Sequence, residues 1–235
     1  MVMLASGCNR GILDPVGPVG QAEKTILINS TAIMLLGGIT WISSHELEPS
    51  KPLASTKPPL KVEVVSLDWK WLFIYPDQGI ATVNQLVVPA ETPVTYRLTS
   101  STVWNVFFVP QFGTMIYTMP RMTTRLNLQA DRQGVYDGLS AHFSGDGFPG
   151  MQFKAQVLPA DQFAMWAQGA HGQGGALDPT SYAELSKPSS YVKPMTYGAV
   201  APGLFDAIVA NRVAQLQLPQ AAPPPEQAPA APAGG

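Results

Sequence analysis

Between Lys61 and Leu158 apolar residues recur at every second position, and no other feature of this chain restricts its fold as much. "PVTYRLTS" sets Val94, Tyr96 and Leu98 on one face, "MQFKAQVL" does the same with Met151, Phe153, Ala155 and Val157, and "KVEVVSL" alternates at its start. A period of two matches the pleat of a half-buried strand and not the 3.6-residue turn of a helix. "DWKWLFIY", "TVNQLVV", "WNVFFV", "TTRLNLQ" and "GVYDGLS" lie between these runs, with turn residues at short intervals. Residues 61–158 therefore have the strand number and spacing of a β-sandwich.

Charged residues make up only 13% of the chain, and 23 Pro and 21 Gly agree with strands and loops rather than a helical bundle. The 14 Lys and Arg are scattered and outnumbered by 16 Asp and Glu, so there is no basic surface for phosphates and no nucleic-acid partner is expected. A single cysteine, Cys8, forms no intrachain disulfide.

The rest of the chain divides around the strand region. Residues 1–24 form a lipoprotein-like segment, because "MVMLASGC" places small residues before Cys8 as at a bacterial lipoprotein cleavage site; the charged start and apolar run of a signal peptide are missing, so Cys8 reads either as a lipidation position or as a chance cysteine. Residues 25–44, "TILINSTAIMLLGGITWISS", carry no charge, and 20 helical residues reach about 30 Å, one bilayer core. Asn29, Gly37 and Gly38 weaken that segment, so a membrane span and a buried or interfacial helix stand level. Residues 45–60 are a Pro-rich tether, with Pro49, Pro52, Pro58 and Pro59 opposing helix.

Residues 159–217 return to helical spacing in short pieces. Asp161 is placed to cap a segment with Phe163 and Trp166, Asp178–Pro179 to start one with Tyr182 and Leu185, and "PGLFDAIVANRV" aligns Leu204, Phe205, Ile208 and Val209. Residues 218–235, "LPQAAPPPEQAPAAPAGG", are expected to form a disordered Pro/Ala tail.

The stretch "SAHFSGDGFPGM", Ser140–Met151, has the polar spacing of a metal-ligand loop joining the last two strands. It resembles the copper loop of subunit II of the haem–copper respiratory oxidases, which reads Cys, any, Glu, any, Cys, Gly, any two, His, any two, Met, with a further His upstream. On this chain the two Cys positions hold Ser140 and Ser144, the Glu position His142, the loop His position Phe148, and the upstream His position Asn105; Met151 alone keeps its type. Neutral serine hydroxyls are hard donors that do not replace bridging thiolates, so a dinuclear copper centre is chemically excluded.

That pattern is similar to subunit II of the bo-type ubiquinol oxidases. The likeness extends to "HELEPSKPL", "VEVVSLDWKWLFIYPDQGIATVN", "YDGLSAHFSGDGFPGMQFKA" and "PGLFDAIV". The resemblance implies a mainly β, cupredoxin-like Greek-key sandwich with an N-terminal hydrophobic helix and a short α-helical tail. It implies a non-catalytic subunit of a proton-pumping oxidase in the aerobic respiratory chain, without catalytic residues or cofactor of its own. Haem and copper would lie in partner subunit I, with other oxidase subunits, the membrane and ubiquinol as further partners of the assembly. The setting implied is the bacterial inner membrane, with the sandwich on the periplasmic side. Two alternatives stand beside it: a stand-alone periplasmic cupredoxin-fold lipoprotein or binding module, and a copper electron carrier, the parent activity of the fold.

One departure concerns the N-terminal part. The family carries two transmembrane helices before the sandwich, and this chain has length for one: "KTILINSTAIMLL" resembles the start of the first and "GGITWISSHELEPSKPL" the end of the second. Most of the hairpin is thus missing, together with the acidic residue that the family places near the start of the second helix. A lipidated N-terminus and a periplasmic sandwich on one span fall on opposite sides of the membrane, so either the segment does not span or the lipid is absent.

His142 reads as an exposed or hydrogen-bonded residue, and His45 and His171 lie too far away in sequence to complete a metal set. Trp69, Trp71, Phe73 and Tyr75 read as packing residues. Glu46, Glu48, Asp68 and Asp77 read as solvated charges.

Overall fold

The computed structural model of the protein describes residues 19–48, 50–53 and 55–215. Cys8 and the 218–235 tail lie outside them, as does most of the N-terminal segment. The chain separates into two units, residues 1–48 and 49–235.

Among the described residues the first unit holds one helix, α1 (Val19–Glu46), which encloses the uncharged run. Its apolar residues face outward all round, from Ile26, Leu27 and Ile28 through Met34 to Trp41 and Ile42. Between Lys24 and Glu46 none of the most apolar stretch is buried, which a core helix would require. The hydroxyls of Thr31 and Thr40 donate to the carbonyls of Leu27 and Leu36, each at 2.8 Å, and Ser44 donates to Trp41 O at 2.9 Å. Back-bonding of this kind satisfies a hydroxyl within the helix, as a lipid environment demands.

The second unit contains ten strands in sequence before its helical tail. They are β1 (Leu60–Leu67), β2 (Lys70–Tyr75), β3 (Ile80–Val83), β4 (Gln85–Pro89), β5 (Pro93–Ser100), β6 (Asn105–Phe108), β7 (Met115–Thr118), β8 (Thr124–Gln129), β9 (Gly134–Ser140) and β10 (Gln152–Leu158). The tail adds α2 (Ala160–Ala170), β11 (Ala176–Leu177), α3 (Pro179–Leu185), β12 (Met195–Tyr197), β13 (Ala199–Val200) and α4 (Leu204–Val209). One sheet has the order β12-β3-β2-β1-β5-β8, the other β4-β10-β9-β6-β7, and β11 pairs with β13. β1 runs parallel to β5, and β4 parallel to β10, so the chain crosses between sheets as a sandwich requires. The crossing from β3 to β4 turns on Asn84, in the left-handed region at φ 53°. Its Oδ1 accepts from Trp71 N at 2.8 Å and its Nδ2 donates to Val192 O at 2.8 Å.

The core between the sheets is aromatic. Trp71, Phe73 and Tyr75 alternate along β2 and are fully buried. Phe107 stacks on Phe153 with centroids 5.4 Å apart, and Trp71 meets Phe107 edge-on at 5.7 Å. Tyr75 donates its hydroxyl proton to Val87 O and accepts from Val87 N, and burial raises its pKa well above the ordinary tyrosine value.

The expected half-buried pattern holds for β10 but not for β2, whose six residues are all buried. The tail is the reason. Leu177, Tyr182, Leu185, Leu204, Phe205 and Ile208 form a second core with Val65, Leu67, Leu72, Ile74, Ala81 and Val83 on the outer face of the larger sheet. Asp178 caps α3 as expected, accepting from Ser181 N at 2.7 Å with Pro179 in the first turn. Asp161 does not cap α2. Pro159 occupies the N-cap, and Asp161 lies in the first turn, where its charge favours the positive end of the helix dipole.

Candidate functional site

The β1–β2 turn, the segment before β6 and the β9–β10 loop meet at one end of the sandwich. This brings together four of the six residues singled out above. Asn105, Ser140 and Met151 are buried and Ser144 is half-buried, whereas His142 and Phe148 leave the group. His142 is exposed, with its ring edge-on to Tyr117 at 6.1 Å, and Phe148 packs against Phe143 at 5.6 Å.

The polar atoms of the buried group are used on one another. Ser140 Oγ lies 3.2 Å from Asn105 Oδ1 and 3.3 Å from His142 O. Asn105 Nδ2 reaches Ser66 Oγ at 3.4 Å and Val103 O at 3.3 Å, while the hydroxyls of Ser66 and Thr118 are 3.0 Å apart. Thr118 Oγ1 also lies 3.3 Å from Asn105 O, which closes the network. Ser144 Oγ points to Met151 Sδ at 3.9 Å. The donor set is one carboxamide, neutral hydroxyls and one thioether, with no thiolate or imidazole turned inward. These residues do not fit copper, which on this kind of scaffold is held by thiolate and imidazole. They form a polar plug whose members satisfy one another's hydrogen bonds.

Trp69 holds the loop from below. It sits in the left-handed region at φ 63°, an unusual conformation for a bulky residue, and its Nε1 donates to Ser144 O at 3.0 Å. A Cβ on Gly147 would lie 2.2 Å from the Trp69 ring, so this position accepts only glycine at that approach. Trp71, Phe73 and Tyr75 fill the core as the sequence indicated; Trp69, half-buried, packs against it as expected and also clamps the loop. Asp68, next to it, accepts from the Thr102 hydroxyl at 2.5 Å, and Asp77 pairs with Lys61 at 3.7 Å across an exposed surface.

Sequence reasoning passed over Ser66 and Thr118, which complete the network. The signal for Ser66 was present: a hydroxyl in the otherwise apolar run "VVSL" needs a buried partner. It also passed over Arg97, whose guanidinium bonds Glu63 Oε1 and Asp206 Oδ1 at 2.7 Å each and lies 4.7 Å above the Phe205 ring. Burial holds the Glu63 carboxyl above its ordinary pKa, Arg97 opposing that shift and Asp206 adding to it.

The segments that carry the plug also expose large apolar side chains, interleaved with the exposed Thr102, Arg121, His142 and Asp146. Val103, Trp104, Tyr117, Met122 and Phe143 are exposed, Trp104 at 56% and Phe143 at 71%. Among the described residues no group of His, Cys, Asp and Glu is arranged to hold a metal ion.

Residues 77–157 match the family described as cytochrome c oxidase subunit II, periplasmic domain, and residues 171–214 match the COX aromatic rich motif. The chain is 38% identical over 257 residues to cytochrome bo(3) ubiquinol oxidase subunit 2 of Pseudomonas aeruginosa, covering 88% of this chain and 78% of the relative. It is 39% identical over 263 residues to ubiquinol oxidase subunit 2 of Acetobacter aceti, covering 89% and 85%. Because 88% of a 235-residue chain enters the 257-residue alignment, about 50 of its positions have no counterpart here. Among solved structures, the periplasmic domain of subunit II of cytochrome oxidase from Bradyrhizobium japonicum superposes with a TM-score of 0.47 at 22% identity, over 49% of this chain and 96% of that one.

Proposed function

The chain belongs to the subunit 2 family of the ubiquinol oxidases, and we propose that it serves as the copper-free, non-catalytic subunit 2 of such an oxidase in the aerobic respiratory chain. It is a membrane-bound oxidase subunit with an apolar helix and a sandwich of the periplasmic-domain family. In this reading α1 crosses the inner membrane, the sandwich stands on its periplasmic side, and haem and copper reside in partner subunit I. Quinol then delivers electrons within the membrane to that partner, which reduces oxygen and pumps protons. With one span between them, Cys8 and the sandwich would lie on opposite sides of the membrane, so acylation of Cys8 is not part of this reading.

The observation that carries it is the closed network of Asn105, Ser140, Ser66 and Thr118. A position that handed on electrons would present a redox group there; this chain presents hydroxyls and an amide that neither gain nor lose an electron under physiological conditions. The role left for the sandwich is attachment. We assign the apolar surface at Trp104, Tyr117, Met122 and Phe143 to contact with subunit I, since an exposed patch of this kind marks a binding face.

The test is co-purification. With the chain tagged at its C-terminus and membranes solubilised in mild detergent, haem should accompany it, with quinol-dependent oxygen uptake and no copper assignable to this subunit. Replacing both Trp104 and Phe143 by Asp should release the haem while leaving the far-ultraviolet circular dichroism of the chain unchanged. A chain recovered alone and free of haem under conditions that keep the oxidase intact overturns the assignment.

A further inference from the structure

Lys70 opens β2, and its side chain falls on the outer face of the larger sheet, away from Trp71 and the aromatic core. Among the described residues it is the one charged side chain that is fully buried, with 1% exposure. Its Nζ donates to Lys187 O at 2.7 Å and to Ser189 Oγ at 2.5 Å. An ammonium carries three N–H groups, and the third has no acceptor among the described residues. Neither bonded partner is charged. Asp68 acts on Lys70 only at longer range, and both carboxylate oxygens of the nearby Glu184 are held by Lys187 Nζ at 2.7 Å. Burial accordingly pulls the Lys70 pKa down.

Beside this ammonium lies a cavity of about 480 Å³, within the size range of small-molecule sites. Leu185, Val192, Met195 and Tyr197 form an apolar wall, and Lys70, Thr180, Ser181, Glu184 and Ser189 supply polar groups. The Ser189 hydroxyl donates to Lys187 O at 3.5 Å, the outer limit of a hydrogen bond, so a stronger acceptor can take over its proton. A buried cation whose bonded partners are both neutral, one free N–H and an adjacent open groove with an apolar wall suit a monoanion with a hydrocarbon part. A dianion is disfavoured, because there is one positive charge to meet it and Glu184 stands at the wall.

We propose that this cavity binds a small organic carboxylate, its oxygens accepting from Lys70 Nζ and Ser189 Oγ and its apolar part lying against Leu185, Val192 and Met195. The proposal does not depend on the oxidase assignment, since it rests on the tail and β2 alone. The same chemistry could be supplied by a soluble short-chain acid or by a fatty acid from the membrane, and chain length separates the two.

The experiment uses the full chain in detergent, with its methionines labelled at the methyl carbon, and follows the Met195 resonance while acetate, butyrate and hexanoate are added. A saturable shift is expected with hexanoate, with binding at least about tenfold weaker for hexanol, which lacks the charge that Lys70 meets. Affinity that rises with each methylene assigns the source to an acyl chain, and equal affinity for acetate assigns it to a soluble acid; both support the site. Lys70→Met should weaken hexanoate binding at least about tenfold. Because that change also frees the 187–189 segment, Met195→Trp provides the control: it adds bulk to the cavity from β12, makes none of the Lys70 bonds, and should abolish binding, read then from the labelled acid. No saturable shift with any of the three acids overturns the proposal, as does hexanol binding as tightly as hexanoate or hexanoate binding unchanged in Met195→Trp.

Discussion

Gly147→Ala tests whether Trp69 clamps the β9–β10 loop. The added Cβ would meet Trp69 Cδ2, Cγ and Cε3 at 2.2, 2.4 and 2.6 Å. The indole must therefore retreat by more than 1 Å to regain an ordinary contact of about 3.5 Å. It has little freedom to do so, because its Nε1 is bonded to Ser144 O at 3.0 Å and its backbone is already at φ 63°. Overpacking of this kind costs about 1–3 kcal/mol, and losing the indole hydrogen bond adds about 0.5–1.5 kcal/mol. Gly147 itself has an ordinary φ of −84°, so alanine also restricts the unfolded chain and returns about 0.4–1 kcal/mol. The net loss is about 2 kcal/mol, or a fall in Tm of roughly 4–8 °C for a domain of this size. Thermal unfolding of the full chain in detergent, followed by tryptophan fluorescence and circular dichroism, measures it. In a Trp69→Ala background the same glycine change should cost almost nothing, because the colliding ring is gone. Equal cost in both backgrounds would refute the clamp.

Three further changes probe other parts of the fold. Gly138→Ala places a Cβ 2.1 Å from the Phe153 ring in the centre of the aromatic core, where neither strand can yield; it should cost more than Gly147→Ala and reduce the yield of folded protein. For Glu63, the folded state binds its proton more tightly than the unfolded chain, because burial outweighs Arg97, so its contribution to stability is greatest in acid and falls as pH rises above the ordinary glutamate range. Glu63→Gln should remove that decline, seen as a flatter plot of denaturant midpoint against pH, whereas Arg97→Ala should lower stability by about 1–3 kcal/mol at neutral pH and expose α4 to protease first. Leu35→Lys, midway along the apolar stretch Lys24–Glu46, should cost about 3 kcal/mol of insertion and move the chain out of carbonate-washed membranes; retention there would refute the spanning role of α1.

The sandwich could be read from the sequence because alternation is a local property: Val94, Tyr96 and Leu98 announce one buried face without reference to any partner. What covers the other face is not local. Val65, Leu72 and Ile74 are apolar on the side that alternation assigns to solvent, and the reason lies over a hundred residues later in Tyr182, Leu204 and Phe205. The same division applies to the candidate site. Ser140 and Asn105 were found through the spacing of one loop and its upstream segment. Ser66 and Thr118 complete their hydrogen bonds from strands in different sheets, and no spacing rule connects them. Trp69 illustrates a third case: its type suggested packing, and only its positive φ and its bond to Ser144 O reveal that it positions a loop.

The pairing of β12 with β3 has a consequence for how the protein is made. Synthesis runs from the N-terminus, so all strands through β10 emerge before any of the residues that close the edge at β3 and cover Leu72 and Ile74. For that interval the nascent molecule carries an open strand edge beside a bare apolar face, the combination that invites pairing with another chain. A ribosome stall, a premature stop codon or a proteolytic cut before Leu177 would leave it in that condition permanently. An intact C-terminal tail is therefore what closes the sheet edge and covers its apolar face.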